Sequence, residues 1–526
     1  MSDTHGYSGV MVEPISRRSL LRTAAAGAAA VTTGATATAT AAPATAGAGA
    51  RVPAAVRELL EKIQAGMAAY RIPGVAYGLY HQGREYVGGF GVTDVAAPAP
   101  VDGDTVFRIA STTKTFTGTA VMRLTERGRI DLDRTVRAYL PGFRTATSPG
   151  VTVRQVLNHS AGWLGDVFTD TGSGDDTLAK YVAALETVPQ LTPPGTVMAY
   201  NNAAIGLAGR LIEVTTGAVY ERAMRSLVLD PLRLRGTAFT LDELAGATVA
   251  MPHGSDASGN PVSVPEALVI PRSLHAAGGL YSTARDQLRW ARFHLGDGDP
   301  LLTRRSLRAM RWRPGPGGTL FVEVDGFGVT WMLRPTAEGP RVIQHGGDLP
   351  GQHSGFLLVP ERGLALTVLT NSESGPALLA ELFADDWALT RLAGLHNLPA
   401  TPRPLTPAQL SGYEGRYVAE QIGSTGEQAS ITLDLVAAGG RLSGRVDGTE
   451  AMVLPFYRRD HVLVWAPDGT DAHTRADFVR DPDGSVGWLR FGGRLFRRTP
   501  PGPAALRTTA NTPALLPVTL PHPARP

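Results

Sequence analysis

A serine and a lysine three residues apart are the residues in this chain whose types and spacing most directly permit covalent chemistry. They are Ser111 and Lys114 in the run Ser-Thr-Thr-Lys. Three helical steps of about 100° each bring both side chains to one face of a helix. At a helix start the dipole favours negative charge on the serine oxygen, and together with burial it disfavours a proton on the lysine. The lysine can then accept the serine proton and create a nucleophile.

The amino-acid composition makes this pair more informative. The chain has 526 residues and only three lysines among its 50 lysine and arginine residues. Arginine cannot lose its proton near neutral pH, so a lysine in an arginine-rich chain indicates a need for a neutral amine. These four residues alone leave an alternative open. In it Ser111 is an ordinary helix N-cap and Lys114 is solvated.

A tyrosine followed by two asparagines, Tyr200-Asn201-Asn202, comes next among the candidates. A nearby ammonium would lower the pKa of the phenol, so Tyr200 is a candidate proton carrier. The amide of Asn202 can hydrogen-bond a substrate amide or carbonyl. The alternative is that an asparagine caps the next helix while Tyr200 packs beneath the loop.

A histidine and two glycines at 345–347 follow a predicted strand. Glycine after a strand lets another backbone approach closely, so His345 and Gly347 are candidates for substrate binding. The N–H of Asp348 can pair with that of Ser111 as an oxyanion hole, which needs two fixed donors at one oxygen. The alternative is a tight turn with an exposed histidine.

The elements that must position these residues follow from hydrophobic periodicity. The sequence predicts a helix over 53–70, a hairpin with strands 74–80 and 85–91, and a helix from Ser111 to about 127. Residues 130–297 are predicted to be mainly helical. Strands at 328–333, 341–344, 355–359 and 364–369 and a helix at 376–392 follow. This order predicts the α+β class, an α/β sandwich with an antiparallel sheet and an inserted all-helical subdomain.

The C-terminal part of the chain has a different pattern. About eight short strand-like runs, separated by Gly, Asp and Pro, predict a small antiparallel β-barrel over 408–499. The predicted organisation is therefore a domain at 51–398 that contains all the candidate motifs, a proline-rich linker at 399–407, the barrel at 408–499, and a disordered tail at 500–526.

Residues 1–50 have the features of an export signal. Arg17 and Arg18 form a twin-arginine motif, followed by a weakly apolar Ala/Thr-rich stretch and by small-residue cleavage sites. We expect a secreted or extracytoplasmic protein. The alternative is a low-complexity tail with a chance arginine pair.

Composition also argues against several classes. With no cysteine, the chain has neither disulfides nor thiolate metal sites. We find no familiar metal-ligand spacing, no basic run that would indicate nucleic-acid binding and no convincing membrane span. We expect a small-molecule or peptide-like (peptidoglycan-like) substrate and no cofactor or metal; the oligomeric state stays open.

Together the three motifs resemble those of the active-site-serine superfamily, which contains class C β-lactamases, penicillin-binding proteins, D-aminopeptidases and related esterases. Ser111-x-x-Lys114 resembles the first motif, Tyr200-x-Asn202 the second and His345-x-Gly347 the third. Segments 151–162 and 276–284 also resemble family segments. The resemblance covers about 53–395, and 408–498 resembles the lipocalin-like domain attached to some of these hydrolases.

The resemblance implies a role for each motif residue. Ser111 would be the acylated nucleophile, and Lys114 would be the general base coupled to Tyr200. Tyr200 would activate the deacylating water, because we find no counterpart of the class A deacylating glutamate. The N–H groups of Ser111 and Asp348 would hold the oxyanion.

One departure from the family pattern bears on the substrate. Many β-lactamases and D-Ala-D-Ala peptidases have lysine where this chain has His345, and an unperturbed imidazole is mostly neutral at pH 7. The sequence therefore favours an exported serine hydrolase that cleaves an ester or amide bond. The alternative is a D-Ala-D-Ala carboxypeptidase, penicillin-binding protein or class C-type β-lactamase. An α/β-hydrolase is disfavoured because no Gly-x-Ser-x-Gly elbow is found, and a non-enzymatic wall-binding protein because the motifs are intact.

Overall fold

A computed structural model describes residues 52–145, 150–296 and 301–499 of the chain. The expected signal at 1–50 and the expected tail at 500–526 lie outside these residues. Within the described ranges, no helix has both the length and the apolar character needed to cross a bilayer.

Most of the helices are short, and their lengths range from 4 to 17 residues. They are α1 Ala54–Tyr70, α2 Thr113–Glu126, α3 Val153–Leu157, α4 Thr177–Ala184, α5 Asn202–Thr216, α6 Tyr220–Met224, α7 His275–Gly278, α8 Ala284–Leu295, α9 Arg304–Trp312, α10 Gly375–Leu379, α11 Trp387–Ala393 and α12 Pro407–Ser411. Tighter 3₁₀ turns occur at Ala110–Thr112, Val136–Ala138, Leu185–Thr187, Asp242–Leu244, Pro265–Leu268, Arg272–Leu274 and Pro360–Arg362. Wider π turns occur at Arg225–Leu229 and Ala380–Ala384.

The strands before the linker are β1 Gly74–His81, β2 Arg84–Gly91, β3 Val106–Arg108, β4 His253–Ser255, β5 Pro261–Ser263, β6 Tyr281–Thr283, β7 Gly318–Leu320, β8 Val322–Val324, β9 Gly326–Phe327, β10 Met332–Arg334, β11 Val342–Gln344, β12 Gly347–Leu349, β13 Gln352–Val359 and β14 Leu364–Thr370. Eight of them form an antiparallel sheet in the order β2-β1-β14-β13-β11-β10-β9, with β12 paired to β13.

The sheet joins the two ends of the first domain. Strand β1 pairs with β14, so that Val75 lies opposite Thr370. Helices α1, α10 and α11 cover one face around a core that includes Leu59 and Leu366, and α8 packs on the other face. The predicted antiparallel sheet with a helical insertion between its two halves is confirmed. The register brings a hairpin from residues 74–91 beside strands almost 300 residues later.

Two predicted elements differ from the structure. Residues 328–331 of the strand predicted at 328–333 form a turn between β9 and β10, in which Gly328 N donates to Trp331 O at 2.8 Å, and only the last two residues belong to β10. The helix predicted at 376–392 is divided into α10, a π turn and α11. The buried guanidinium of Arg334 donates to the carbonyl oxygens of Phe383 and Ala384, which an unbroken helix would have used itself.

The C-terminal strands are β15 Gly415–Ile422, β16 Gln428–Ala438, β17 Arg441–Val446, β18 Thr449–Val453, β19 Phe456–Arg458, β20 His461–Trp465, β21 Asp471–Arg480, β22 Val486–Phe491 and β23 Arg494–Thr499. Eight of them close into an antiparallel barrel, because β18 pairs with β20 at Val453 and Trp465. The strands β18 and β19 are separated at Pro455, which cannot donate to a ladder. The predicted small barrel is confirmed, and apolar side chains fill its interior.

The barrel is docked onto the first domain through backbone and buried side-chain contacts. Ile422 N donates to Asp166 O at 2.9 Å, and Phe168 N donates to Ile422 O at 2.8 Å. The Arg490 side chain forms an ion pair with Asp477 at 2.6 Å, with both side chains only 4% exposed. Arg490 also donates to Met198 O at 2.7 Å.

Replacing Arg490 with alanine should lower the free energy of unfolding by about 3–5 kcal/mol, because Asp477 would remain buried without its cation. Arg416→Ala removes an exposed partner of Asp434 and should cost at most about 1 kcal/mol. Denaturant unfolding at pH 7 measures both values. Equal costs for the two variants would contradict the importance of the buried pair.

Candidate active site

Ser111 lies at a sharp turn between β3 and α2. Ala110, just before it, has a φ of +46°, which is strained for a residue with a Cβ. Ser111 itself lies in the 3₁₀ turn Ala110–Thr112, which directly precedes the α-helix that begins at Thr113. Strand β13 holds this turn in place, because Ser354 Oγ donates to Ile109 O at 2.8 Å. Ser111 therefore projects from a rigid bend into the cleft that it lines.

The structure brings Lys114 and Ser111 together. Lys114 Nζ lies 2.8 Å from Ser111 Oγ and donates to Ala277 O of α7 at 2.7 Å. Burial shifts the pKa of this fully buried amine well below its ordinary value. Arg494 lowers it further, while Asp166 opposes the shift. A neutral amine fits both contacts, because it can donate to the carbonyl and accept the hydroxyl proton of Ser111.

Tyr200 completes this group of three. Its ring centroid lies 5.0 Å from Lys114 Nζ, and Tyr200 lines the same cleft as Ser111. The ring stacks on the buried imidazole of His159, with centroids 4.5 Å apart. Asn201 caps α5 by accepting from Ala204 N at 2.7 Å, so the helix start holds Tyr200 in place.

The expected lowering of the Tyr200 pKa by a nearby ammonium is wrong. Burial raises the pKa of Tyr200 above its ordinary value, although Ser111 and Arg494 act in the opposite direction. The cause is that Lys114 is itself buried and its ammonium form is disfavoured. The amine beside the phenol therefore does not stabilise a negative charge on Tyr200. Tyr200 is therefore a neutral phenol that can donate one proton while it accepts another.

Asn202 is the first residue of α5 and lines the same cleft. Its Nδ2 donates to Asp166 Oδ1 at 2.8 Å, and Arg494 Nε donates to Asp166 Oδ2 at 2.9 Å. Asp166 thus fixes the orientation of the Asn202 amide and leaves its oxygen side available to a donor.

His345 is buried at the end of β11, contrary to the alternative of an exposed turn residue. Its Nδ1 lies 2.7 Å from Gly346 O and donates to it. Its Nε2 is buried without a hydrogen-bond partner in the described part of the chain. Burial lowers the pKa of His345 to about 3, with Lys114 as a further cause. The neutral ring lines the cleft and carries no fixed positive charge.

Gly347 allows β12 to pass close to the Ser111 turn. A Cβ at Gly347 would lie 2.7 Å from Ser111 N and 2.3 Å from Ile109 O, so a side chain would not fit. Leu349 pairs with Gln352 across a two-residue turn, so Asp348 is in the next, non-hydrogen-bonded position of the ladder. The Asp348 N–H consequently points away from β13, and Asp348 lines the cleft with Ser111.

The cleft has a volume of about 170 Å³ and one strongly apolar wall. This wall is formed mainly by Leu320, Val322, Met332, Phe356, Leu379 and Phe383. The barrel contributes Arg494 and Thr474 to the lining. Within the described ranges, no group of three or more His, Asp or Glu side chains is arranged to hold a metal ion.

Sequence reasoning missed several of these neighbours. Asp166 and Arg494 are 328 positions apart and carry no motif of their own. Ala277 and His159 lie in segments recognised as family-like, but neither was assigned a role. Short motifs identify side chains that are close in sequence, whereas these partners become neighbours only through tertiary folding, and Arg494 only when the barrel docks.

Comparison with known proteins identifies the fold family. A sequence model described as Beta-lactamase matches residues 59–391. The chain belongs to the beta-lactamase family. Members include penicillin-binding proteins, β-lactamases and esterases, and the chain is a serine hydrolase of this family.

Relatives within the beta-lactamase family have different names. Penicillin-binding protein 4 of Amycolatopsis lactamdurans is 32% identical over 67% of this chain and 95% of that protein. Esterase EstB of Burkholderia gladioli is 28% identical over 55% of this chain and 84% of that protein. The crystal structure of SurE superposes with a TM-score of 0.65 at 27% identity, and it covers 85% of this chain and 99% of that chain. That coverage extends beyond the matched 59–391 region and includes barrel residues.

We expect His345 to stay neutral from pH 8 down to about pH 4, because its pKa is lowered to about 3. NMR of ¹⁵N-histidine-labelled protein measures this, with His345→Gln used to assign the signal. His396 serves as an internal reference, because Glu338 raises its pKa above the ordinary value. A His345 midpoint near pH 6.5 would contradict the effect of burial.

Proposed function

We propose that this chain is an exported hydrolase that cleaves an ester or a peptide-like amide bond through a covalent acyl-Ser111 intermediate. One observation carries the proposal: the buried amine of Lys114 lies 2.8 Å from Ser111 Oγ. An amine whose pKa is held well below its ordinary value can act as a base near neutral pH.

In the acylation step, Lys114 Nζ takes the proton of Ser111 Oγ, and Oγ bonds to the substrate carbonyl carbon. The carbonyl electron pair moves to oxygen, where the N–H groups of Ser111 and Asp348 stabilise it. The tetrahedral intermediate then collapses and breaks the bond to the leaving oxygen or nitrogen. Tyr200 gives its phenolic proton to the leaving group and recovers one from Lys114.

Deacylation reverses these proton movements with water as the nucleophile. Water attacks the acyl carbon while Tyr200, coupled to Lys114, accepts its proton. Ser111 Oγ leaves with a proton, and a carboxylic acid is released. Asn202 and His345 line the cleft, and the Asn202 amide can orient the substrate by a hydrogen bond.

The substrate class follows from the walls of the cleft. A neutral His345 offers no fixed charge to a carboxylate, and the apolar wall suits an uncharged acyl or side-chain group. Esterase EstB is named for ester hydrolysis, and a second SurE structure, 28% identical to this chain, contains D-Leu. These relatives support a neutral ester or a peptide-like substrate with an apolar residue.

A second candidate is a D-Ala-D-Ala carboxypeptidase or a β-lactamase that acts on peptidoglycan-like or β-lactam substrates. It is favoured by the similarity to penicillin-binding protein 4 over nearly all of that protein. The two candidates share the acyl-serine step and differ in the charge that the substrate must carry.

Ser111→Ala and Lys114→Ala should each lower kcat/KM on an activated ester by about 10³-fold or more, because residues of one catalytic unit fail together. Lys180→Ala is the matched control, since this lysine is 58% exposed and pairs with the exposed Asp176. Stopped-flow or steady-state hydrolysis measures the loss. Retention of normal turnover in either site variant would refute the assignment.

Mass spectrometry of the intact protein separates the two candidates. Incubation with activated esters, D-amino-acid amides and benzylpenicillin should give a rapid Ser111 adduct with the ester, which then turns over. A stable penicillin adduct without ester turnover would favour the second candidate.

Export is the part of the proposal that rests on Arg17 and Arg18. Replacing both with lysine should keep the protein inside the producing cell, because the twin-arginine pathway depends on the pair. Fractionation of a native host followed by activity assay measures this. Unchanged secretion of the double variant would contradict twin-arginine export.

A further inference from the structure

The turn between the last two barrel strands touches the backbone of Tyr200. Gly492 and Gly493 form this two-residue turn, with φ values of +55° and +76°. Tyr200 N donates to Gly493 O at 2.8 Å. A Cβ at Gly493 would lie 3.0 Å from Tyr200 Cβ and 2.8 Å from Leu320 Cδ1. The turn therefore sits against the candidate catalytic tyrosine with no space for a side chain.

The same face of the barrel holds the two residues before Tyr200. Arg490 donates to Met198 O at 2.7 Å. Ala199 packs in a small buried cluster with Trp488 and Leu495. Three consecutive residues of the hydrolase domain are thus fixed by contacts from β22, β23 and their turn.

Arg494, the residue after the turn, brings a positive charge to the catalytic group. Its guanidinium lies 5.4 Å from the Tyr200 ring centroid. It also pairs with Asp166 at 2.9 Å, and Asp166 in turn orients Asn202. The side chain is 21% exposed, so the charge is only partly screened by water.

We propose that the barrel is a working part of the catalytic centre, in which the Gly492–Gly493 turn fixes Tyr200 and Arg494 sets the electrostatics of Lys114 and Tyr200. The inference rests on the proposed acyl-serine function and deepens it. It assigns the barrel a positioning role. A detachable lid or a separate wall-binding module would not need to hold the backbone of a catalytic residue.

The charged and titratable groups around Lys114 determine the sign of the electrostatic effect. Arg494 lowers the pKa of Lys114, and Asp166 raises it. Around Tyr200, Arg494 lowers the pKa, while Asp348 and Asp166 raise it. The neighbouring imidazoles of His159 and His345 have lowered pKa values and remain neutral at working pH. Loss of the Arg494 charge therefore raises the pKa of Lys114.

The positioning role can be tested with two matched glycines in the full-length protein. Gly439 and Gly440 form a second two-residue turn in the same barrel, with φ values of +57° and +75°. A Cβ at Gly440 would meet nothing within 4 Å, whereas one at Gly493 would press on Tyr200. Gly493→Ala and Gly440→Ala thus carry the same backbone strain. They differ in whether the added Cβ contacts Tyr200.

We expect Gly493→Ala to lower kcat/KM on an activated ester by about tenfold or more, since small displacements of a catalytic group are costly. Gly440→Ala should stay within about twofold of the parent, and both variants should remain folded at the assay temperature. Equal activity of the two variants would overturn the inference. A loss of kcat/KM in Gly493→Ala that disappears when activity is normalised to the folded fraction would also overturn it, since the contact would then be merely structural.

The electrostatic role is tested by the pH profile of kcat/KM. Activity requires neutral Lys114, so it is lost as the pH falls through the Lys114 pKa. Arg494→Gln should move this acid limb to higher pH, whereas Arg494→Lys, which keeps the charge, should largely restore it. An unmoved limb in Arg494→Gln would overturn this role. Failure of the acyl-serine proposal would be distinguishable, because Ser111→Ala would then remain active.

Discussion

The structure depends on keeping the amine of Lys114 out of water and beside a hydroxyl. A charged ammonium in such a place would be costly to desolvate, so the proton is lost and the amine becomes a base. Ala277 O and Ser111 Oγ occupy its hydrogen-bonding positions. This arrangement requires three elements to converge: the Ser111 turn, α2 and the short helix α7. The helical insertion between the two halves of the sheet brings them together.

Some of this arrangement could be predicted because it is local. Ser111 and Lys114 are one helical turn apart, so their contact follows from helix geometry once a helix begins nearby. The caps at Thr152, Asn201 and Thr283 are likewise encoded within three residues. The hairpin of β1 and β2 follows from alternation around His81-Gln82-Gly83-Arg84. In each case the partners are neighbours in sequence.

Other features could not be predicted because tertiary contacts decide them. Arg334 holds the carbonyls of a divided helix that looks continuous in sequence, and it reaches them across about 50 positions. The shift in the Tyr200 pKa depended on burial, which a motif does not specify. Asp166 and Arg494 meet only because Ile422 and Arg490 dock the barrel. Thus the motifs indicated the nucleophile, while the electrostatic surroundings came from residues without motifs.

The replacement of a third-motif lysine by His345 also has a consistent electrostatic explanation. Arg494 already places one cation at the cleft, and Asp166 compensates it within hydrogen-bonding distance. A further ammonium at position 345 would add an uncompensated charge close to Lys114 and Arg494 and would have to be desolvated. A neutral imidazole avoids this cost. Residues of both domains therefore balance the charge of the site, which links the proposed preference for neutral substrates to the presence of the barrel.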